Sequence, residues 1–242
     1  MRGDIRHGMN VYLLEESGGG VTAFDAGTAP MVKAVKLATE KLGGLKRVVL
    51  GHSHSDHRGT APSLGAPVYC HADEAPYAEK ATWQENAPYW NIDLIQKPVS
   101  RWLYKHWFHN RWDGGAVEVA GTVSEGDEVC GFEVVDLPGH SPGLIGLWRA
   151  SDRLALVTDT VYFSDAERFK PLDYPSVPHR AWNWNSERAS ESVRKLAGLN
   201  PATLLTGHGE PQSPPNLREQ LEAAADRGAP SGPSPDSLAT SA

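Results

Sequence analysis

Within "VVLGHSHSDHRGT", residues 48–60, three imidazoles and a carboxylate fall in six positions: His52, His54, Asp56 and His57. These are ligand types that zinc, iron and manganese accept. In an extended segment, residues two apart face the same side, so His52 and His54 can address one ion. The chain then turns through Ser55. Asp56 and His57 stand at the start of the next helix, where they can address a second ion a few ångströms away, the arrangement of binuclear hydrolytic centres. Three more residues of the same chemistry occur downstream: His140 in "LPGHSPG", Asp159 in "VTDT" and His208 in "TGHGE".

All of these points follow strand-like runs: the cluster after Val48–Leu50, His140 after "VVDLPG", Asp159 after "LALVT" and His208 after "TLLTG". In layered α/β folds, ligands gather at the carboxyl ends of strands, so distant positions can meet there. The rest of the chain supports such a fold. "MNVYLLEE" and "GVTAFDAG" flank Ser17-Gly18-Gly19-Gly20, a hairpin signal. Val32, Val35, Thr39 and Leu42 recur at helical spacing until Gly43-Gly44. "LKRVVL" and "APVYCH" predict strands around a short helix that stops at Gly65, and strand, helix, strand alternation is an α/β pattern. "AVEVAGTV", "FEVVDL", "LIGLW" and "LALVTD" predict further strands. "NSERASESVRKLAGL" predicts a helix capped by Asn185 or Ser186, followed by the strand "PATLLTGHGE" and a helix from about Asn216 to Ala225. Residues 80–114 have no clean period yet hold five of the eight tryptophans, and predict an inserted lid or helical excursion. One domain over residues 1–227 and a disordered Pro/Ser/Gly-rich tail over 228–242 are expected.

Composition narrows the function. A net charge of −7, with no block of Lys or Arg, disfavours nucleic acid as a partner. No apolar run is long enough to span a membrane. The N-terminus is not a signal peptide, and Cys70 and Cys130 form no CxxC pair, so a cytoplasmic protein with two thiols is expected.

His52-Ser53-His54-Ser55-Asp56-His57, with "LPGHSPG", "VTDT" and "TGHGE" in order after it, resembles the metallo-β-lactamase superfamily. The opening hairpin with Asp25 and Gly27 is similar too, so the likeness runs from about Asn10 to Glu210. It implies an αββα sandwich. It also implies that His52, His54 and His140 bind a first metal, that Asp56, His57 and His208 bind a second, and that Asp159 bridges them. Asp25 is implied to be structural. Two divalent ions are expected, zinc foremost, with iron, manganese or cobalt as alternatives. Relatives often continue x-Gly-Gly after the motif; here Arg58-Gly59-Thr60 follows, and Thr60 is expected to alter packing rather than ligation.

The implied activity is hydrolysis by metal-activated hydroxide at a carbonyl ester, a lactone or carboxylic ester being favoured. Asp56 and Tyr162 are the expected catalytic side chains, because some lactone hydrolases of the superfamily carry Asp-x-x-Tyr where this chain has Asp159 to Tyr162. An aromatic packed under the loop is an equal reading of Tyr162. Trp83, Trp90 and Trp107 are expected to bind the apolar part of a small-molecule substrate, or to cover a homodimer interface. His7, His71, His106, His109 and His179 match no motif and are expected to be surface or packing residues, with substrate contact the lesser reading for His106 and His109, which share the Trp-rich insert. The rivals are a thioesterase resembling glyoxalase II, which would want a helical domain after His208, and an iron-dependent persulfide dioxygenase. A true β-lactamase is disfavoured by Asp159 at the bridging position.

Overall fold

In a computed structural model, which describes residues 8–231, the first strands Tyr12–Glu15 (β1) and Val21–Phe24 (β2) pair antiparallel around the glycine turn. Helix α1 (Val32–Lys41) leads to β3 (Leu45–Val49), which lies parallel to β2. The four-residue helices α2 (Ser55–Arg58) and α3 (Ala61–Leu64) precede β4 (Val68–Cys70). Short helices α4 (Ala75–Ala78), α5 (Trp83–Asn86), α6 (Pro98–Leu103) and α7 (His109–Trp112) then intervene before β5 (Val119–Thr122) completes a sheet ordered β1-β2-β3-β4-β5.

The second sheet runs β12-β9-β8-β7-β6, built from Glu128–Val129 (β6), Phe132–Asp136 (β7), Ile145–Arg149 (β8), Leu154–Thr158 (β9) and Thr203–Thr206 (β12). Helices α8 (Ser186–Leu199) and α9 (Leu217–Arg227) cover it. The side chain of Asn185 caps α8 by accepting from the Glu187 and Arg188 amides. A separate hairpin, β10 (Tyr162–Asp165) with β11 (Lys170–Ser176), stands where the sequence suggests only irregular chain.

Successive side chains of a strand face opposite ways, and both faces of the central strands are used. Phe24, Val49, Phe132, Val134 and Leu156 fill the space between the sheets. Their neighbours Ala23 and Val48 pack on the α1 side with Val35, whereas Val135, Ala155 and Val157 pack under α8 and α9 with Val193, Leu196 and Leu221. The result is helix, sheet, sheet, helix, the expected αββα sandwich. Residues 80–114 form the helical excursion between β4 and β5. Its middle, Tyr104–Phe108, is a π-turn, whose wider i→i+5 spacing breaks the 3.6-residue period.

Arg58 is fully buried and staples both ends of this excursion, donating to the Ala78 and Lys80 carbonyls and to the Asp113 carboxylate at 3.0 Å. Thr60 Oγ1 donates to the Ala26 carbonyl at 2.6 Å, a packing role away from any ligand atom. Both cysteines are free thiols. Among the described residues, no helix is long and apolar enough to cross a membrane. Of the tail, residues 228–231 still bond to the body through the Ala229, Pro230 and Ser231 carbonyls; 232–242, like His7, lie outside the described residues.

Candidate metal centre

The carboxyl ends of β2, β3, β7, β9 and β12 converge on one edge of the sandwich. Asp25 follows β2, the His52–His57 cluster follows β3, and His140, Asp159 and His208 follow β7, β9 and β12. Among the described residues three sets of ligand-type atoms lie within 4.8 Å of one another: Asp25, His52 and His57, and the two sets that the motifs imply, His52, His54 and His140, and Asp56, His57 and His208. Asp159 touches both, its carboxylate lying 3.5 Å from His140 Nε2, 3.3 Å from His57 Nε2 and 3.4 Å from His208 Nε2.

The hydrogen bonds assign the tautomers. His57 Nδ1 donates to Asp25 Oδ2 at 2.8 Å, which turns its Nε2 toward Asp159 Oδ1, 3.3 Å away. Thr158 spends its single hydroxyl proton on Asp25 Oδ2 and therefore accepts from His52 Nδ1, at 3.1 Å. His140 Nδ1 faces Asn183 Oδ1 at 3.4 Å; the Asn183 amide is fixed the right way round because its nitrogen donates to the Pro178 carbonyl. His54 Nε2 reaches the Tyr89 hydroxyl at 2.6 Å. Four imidazoles thus turn a ring nitrogen to the same small volume, and His54 Nδ1 lies only 3.0 Å from His140 Nε2. His52 Nε2, His57 Nε2 and Asp159 Oδ1 are buried without a hydrogen bond. Such a set is repulsive and unsatisfied by itself, and it is what a divalent ion needs, with outer partners that fix each ligand.

Charge tells the same story. Burial holds the imidazoles of His52 and His54 well below their ordinary range and His140 at about 4, so these three are neutral imidazoles of the kind a metal ion accepts. Burial opposes protonation of His57 and His208 as well, but Asp159 and its companion carboxylates outweigh it and raise His208 to about 10. Asp56 and Asp159 stay ionised despite burial, chiefly because of His57. A cation bound there would displace the protons of His57 and His208 and be countered by the carboxylates of Asp56 and Asp159.

Asp25 is the main outer support. Its φ of 61° lies in the left-handed region, and its carboxylate holds the Gly51 amide, Thr158 and His57 together. Asparagine tolerates that backbone but offers one acceptor oxygen in place of two. Asp25→Asn is therefore expected to leave the fold intact and weaken metal binding by about 10- to 100-fold, as measured by chelator competition.

Glu74, which sequence reasoning passed over, is fully buried and accepts from the Ser53 amide, the Ser53 hydroxyl and the Gly143 amide, tying the His52–His54 loop to the turn after His140. Asn86 completes the clamp by donating to the Ser53 carbonyl. Tyr89, Thr158 and Asn183 were equally unmarked. All are common residue types, and only their spatial position gives them a role.

A cavity of about 330 Å³ opens on this cluster. His54, Asp56, His140, Asp159 and His208 form its floor, and Trp90, Trp107 and Tyr162 lie on its walls beside Tyr104, Phe108, Trp112 and Trp182. Trp83 is not on the wall. It stands behind Trp90, ring centroids 6.1 Å apart, and its indole nitrogen donates to Asn110. The Tyr162 hydroxyl donates to Asp159 Oδ2 at 2.7 Å, and its ring lies 6.1 Å from His140 and 5.9 Å from His208. Among the described residues, no Lys or Arg lines the cavity. His71 and His179 sit away from it, against Asp136 and Glu167, and His106 packs on Trp102.

His109 is 3% exposed, within the aromatic wall, and burial pushes its imidazole down to about 4. The unfolded chain, with its imidazole near 6.5, then binds the extra proton between pH 6.5 and 4. Stability is lost as pH falls through that window and the loss levels off below it. His109→Phe is expected to shrink the acid-induced loss by at most about 3 kcal/mol, read by urea unfolding of chelated protein at pH 7 and 4.5.

Comparison with known proteins agrees with this geometry. The model of the metallo-beta-lactamase superfamily matches residues 6–208. A Bacillus subtilis protein described as the probable metallo-hydrolase YflN is 32% identical over 192 residues, covering 76% of this chain and 71% of its own. Among solved structures, the metallo-beta-lactamase family protein TTHA1429 of Thermus thermophilus superposes with a TM-score of 0.62 at 23% identity, over 91% of this chain and 74% of its own. TTHA1623, solved in a di-iron-bound form, gives 0.59 at 22% identity, over 94% and 96%. With the sandwich, the ordered ligand motifs and the family match in agreement, the chain belongs to the metallo-beta-lactamase superfamily.

Proposed function

We propose that this protein is a binuclear metal-dependent hydrolase of uncharged carboxylic esters or lactones. The observation that carries this reading is the cavity: aromatic, free of Lys and Arg among the described residues, and opening directly on the ligand cluster. Away from the ligand cluster, the anionic group of a phosphodiester, a glutathione thioester or a β-lactam would meet aromatic walls with no described Lys or Arg to pair with it. A neutral ester with an apolar body would be well accommodated.

His52, His54 and His140 would hold one ion, Asp56, His57 and His208 the other, and Asp159 would be shared. Bound divalent ions supply Lewis acidity and a hydroxide nucleophile at neutral pH. The remaining work belongs to the chain. The aromatic wall excludes water and orients the substrate, with Trp90 and Trp107 flanking it. Asp56, at the cavity floor, can accept a proton and pass it to the leaving oxygen. Burial, reinforced by Asp159, keeps the Tyr162 phenol well above its ordinary range, so it is a hydrogen-bond donor at neutral pH. It is placed to turn that hydrogen bond from Asp159 to the oxygen that gains charge. Tyr162→Phe is expected to lower kcat on the order of 10²-fold with little change in KM and none in metal content, by steady-state kinetics on metal-assayed protein.

Zinc is favoured as the occupant. Iron is the alternative that the di-iron relative brings forward, and elemental analysis distinguishes them. The partly exposed ridge of Val99, Trp102 and Trp107 supports a homodimer, which light scattering tests. One hydrolysis panel of lactones, aryl esters, thioesters, β-lactams and phosphodiesters tests the activity. Turnover confined to uncharged esters or lactones is expected; fully metallated protein that leaves all of these untouched, or that hydrolyses β-lactams at a normal rate, would defeat the proposal.

A further inference from the structure

Trp90 stands between the metal cluster and His109. Its ring centroid is 4.5 Å from that of His54 on one side and 4.5 Å from that of His109 on the other. Around His109 the neighbours are aromatic faces: Trp83 at 4.9 Å, Trp112 at 5.3 Å, Trp182 at 5.6 Å and Tyr104 at 5.8 Å. In this setting both nitrogens of His109 are buried and make no hydrogen bond, and neither does the indole nitrogen of Trp90. Both rings line the cavity.

Three buried, unpaired polar atoms on two adjacent rings are unusual. A buried polar group is ordinarily paired, because leaving it unpaired forfeits its hydration without return. A phenylalanine at either position would fill the same aromatic wall without that penalty. Each such exception in a native protein calls for an explanation, a catalytic role or a bound water or ion among them.

We infer that His109 and Trp90 form a polar subsite for a neutral oxygen, a hydroxyl or carbonyl carried on the substrate's apolar body one aromatic ring's width from the hydrolysed bond. The indole offers a donor. The neutral imidazole offers one donor and one acceptor, so a hydroxyl can be satisfied in both directions. Among the described residues no Lys or Arg stands beside His109 and Trp90, so a carboxylate or phosphate in the same place would lack a countercharge. The hydrogen bonds would discriminate by penalising a substrate that lacks the oxygen, since such a substrate leaves the three atoms unpaired. This inference rests on the reading that the cavity receives the substrate's apolar portion.

The test separates the subsite from the hydrolytic activity. Binding of 4-phenylbutan-1-ol and of n-pentylbenzene, matched in size, is followed by the intrinsic tryptophan fluorescence of the metallated protein. Ester turnover is measured in parallel with p-nitrophenyl hexanoate and p-nitrophenyl 6-hydroxyhexanoate. The native protein is expected to prefer the alcohol over the hydrocarbon by about tenfold or more, a difference of about 1.4 kcal/mol. His109→Phe should remove that preference and tighten the hydrocarbon, while His109→Gln, which keeps a donor and an acceptor, should retain most of it. The hydroxylated ester should show the same preference, expressed in KM. An alcohol preference below twofold in the native protein, one unchanged in His109→Phe, or no binding of either probe would overturn the inference. Selective binding without turnover of any ester would instead leave the subsite standing and sink the proposed hydrolysis.

Discussion

Asp159→Ala is expected to strip both ions from the site and lower ester turnover by on the order of 10³-fold or more, a loss of about 4 kcal/mol in transition-state stabilisation. The other ligand-type side chains each belong to one of the two triads; Asp159 touches His140 of the first and both His57 and His208 of the second. Its loss does more than delete an oxygen. The raised proton affinities of His57 and His208 depend on its charge, and buried imidazoles left without that countercharge give up their protons or admit water. Tyr162 also loses the acceptor that orients its hydroxyl. Asp159→Asn is the sharper comparison, because it keeps the shape and halves the ligating capacity. Metal content by elemental analysis should fall below one ion per chain in the alanine variant. Retention of two ions with turnover within tenfold of native would show that the carboxylate does not bridge.

Much of this arrangement was legible in the sequence, and the reason is local. His52, His54, Asp56 and His57 are close in the chain, and His140, Asp159 and His208 each follow a strand, where backbone direction alone brings them to one edge. The partners that fix those ligands were not legible. Tyr89 meets His54 across 35 positions, and Asn183 meets His140 across 43. Neither residue type at such a distance carries a signal until the chain is folded. The same holds for Glu74, a carboxylate that reads as a surface residue and is in fact a buried hub.

The cavity walls were legible only in kind. Tryptophan density announced an aromatic surface, but the π-turn at Tyr104–Phe108 and the short, interrupted helices around it destroy the periodicity that would say which rings face inward. Trp83 and Trp90 illustrate this. Seven positions apart, they would share a face of a regular helix, yet α5 ends at Asn86 and the chain bends, leaving one ring behind the other. The β10–β11 hairpin was hidden for another reason: Pro171 and Pro175 are poor strand residues, tolerated here in a two-stranded ribbon outside the main sheets. Tyr162 opens this hairpin, so a segment that read as irregular chain supplies the hydroxyl 2.7 Å from Asp159 Oδ2.

Gly207→Ala should be nearly as damaging as losing a ligand, although glycine ligates nothing. Its amide donates to the Thr158 carbonyl at 2.7 Å and its carbonyl accepts from the Asn10 amide at 2.8 Å, so the backbone is held from both sides and cannot retreat. A methyl group there would collide with Asp159 Oδ1 and stand 2.7 Å from His57 Cε1. Both neighbours are themselves pinned, Asp159 by Tyr162 and His57 by Asp25, so the strain is relieved only by moving ligand atoms. Overpacking of this kind destabilises by about 1–3 kcal/mol, and displaced ligands should weaken metal binding more than about tenfold, the lower end for disturbing a ligand's support. Gly209→Ala is the control two residues on. Its φ of +90° makes alanine strained, but nothing lies within 4 Å of the added carbon, so it should lose about 1 kcal/mol of stability and keep its metal. Chelator titration and urea unfolding of the two variants separate backbone strain from intrusion into the site. Native metal affinity in Gly207→Ala would mean that Asp159 and His57 are not held where the ligand cluster requires them.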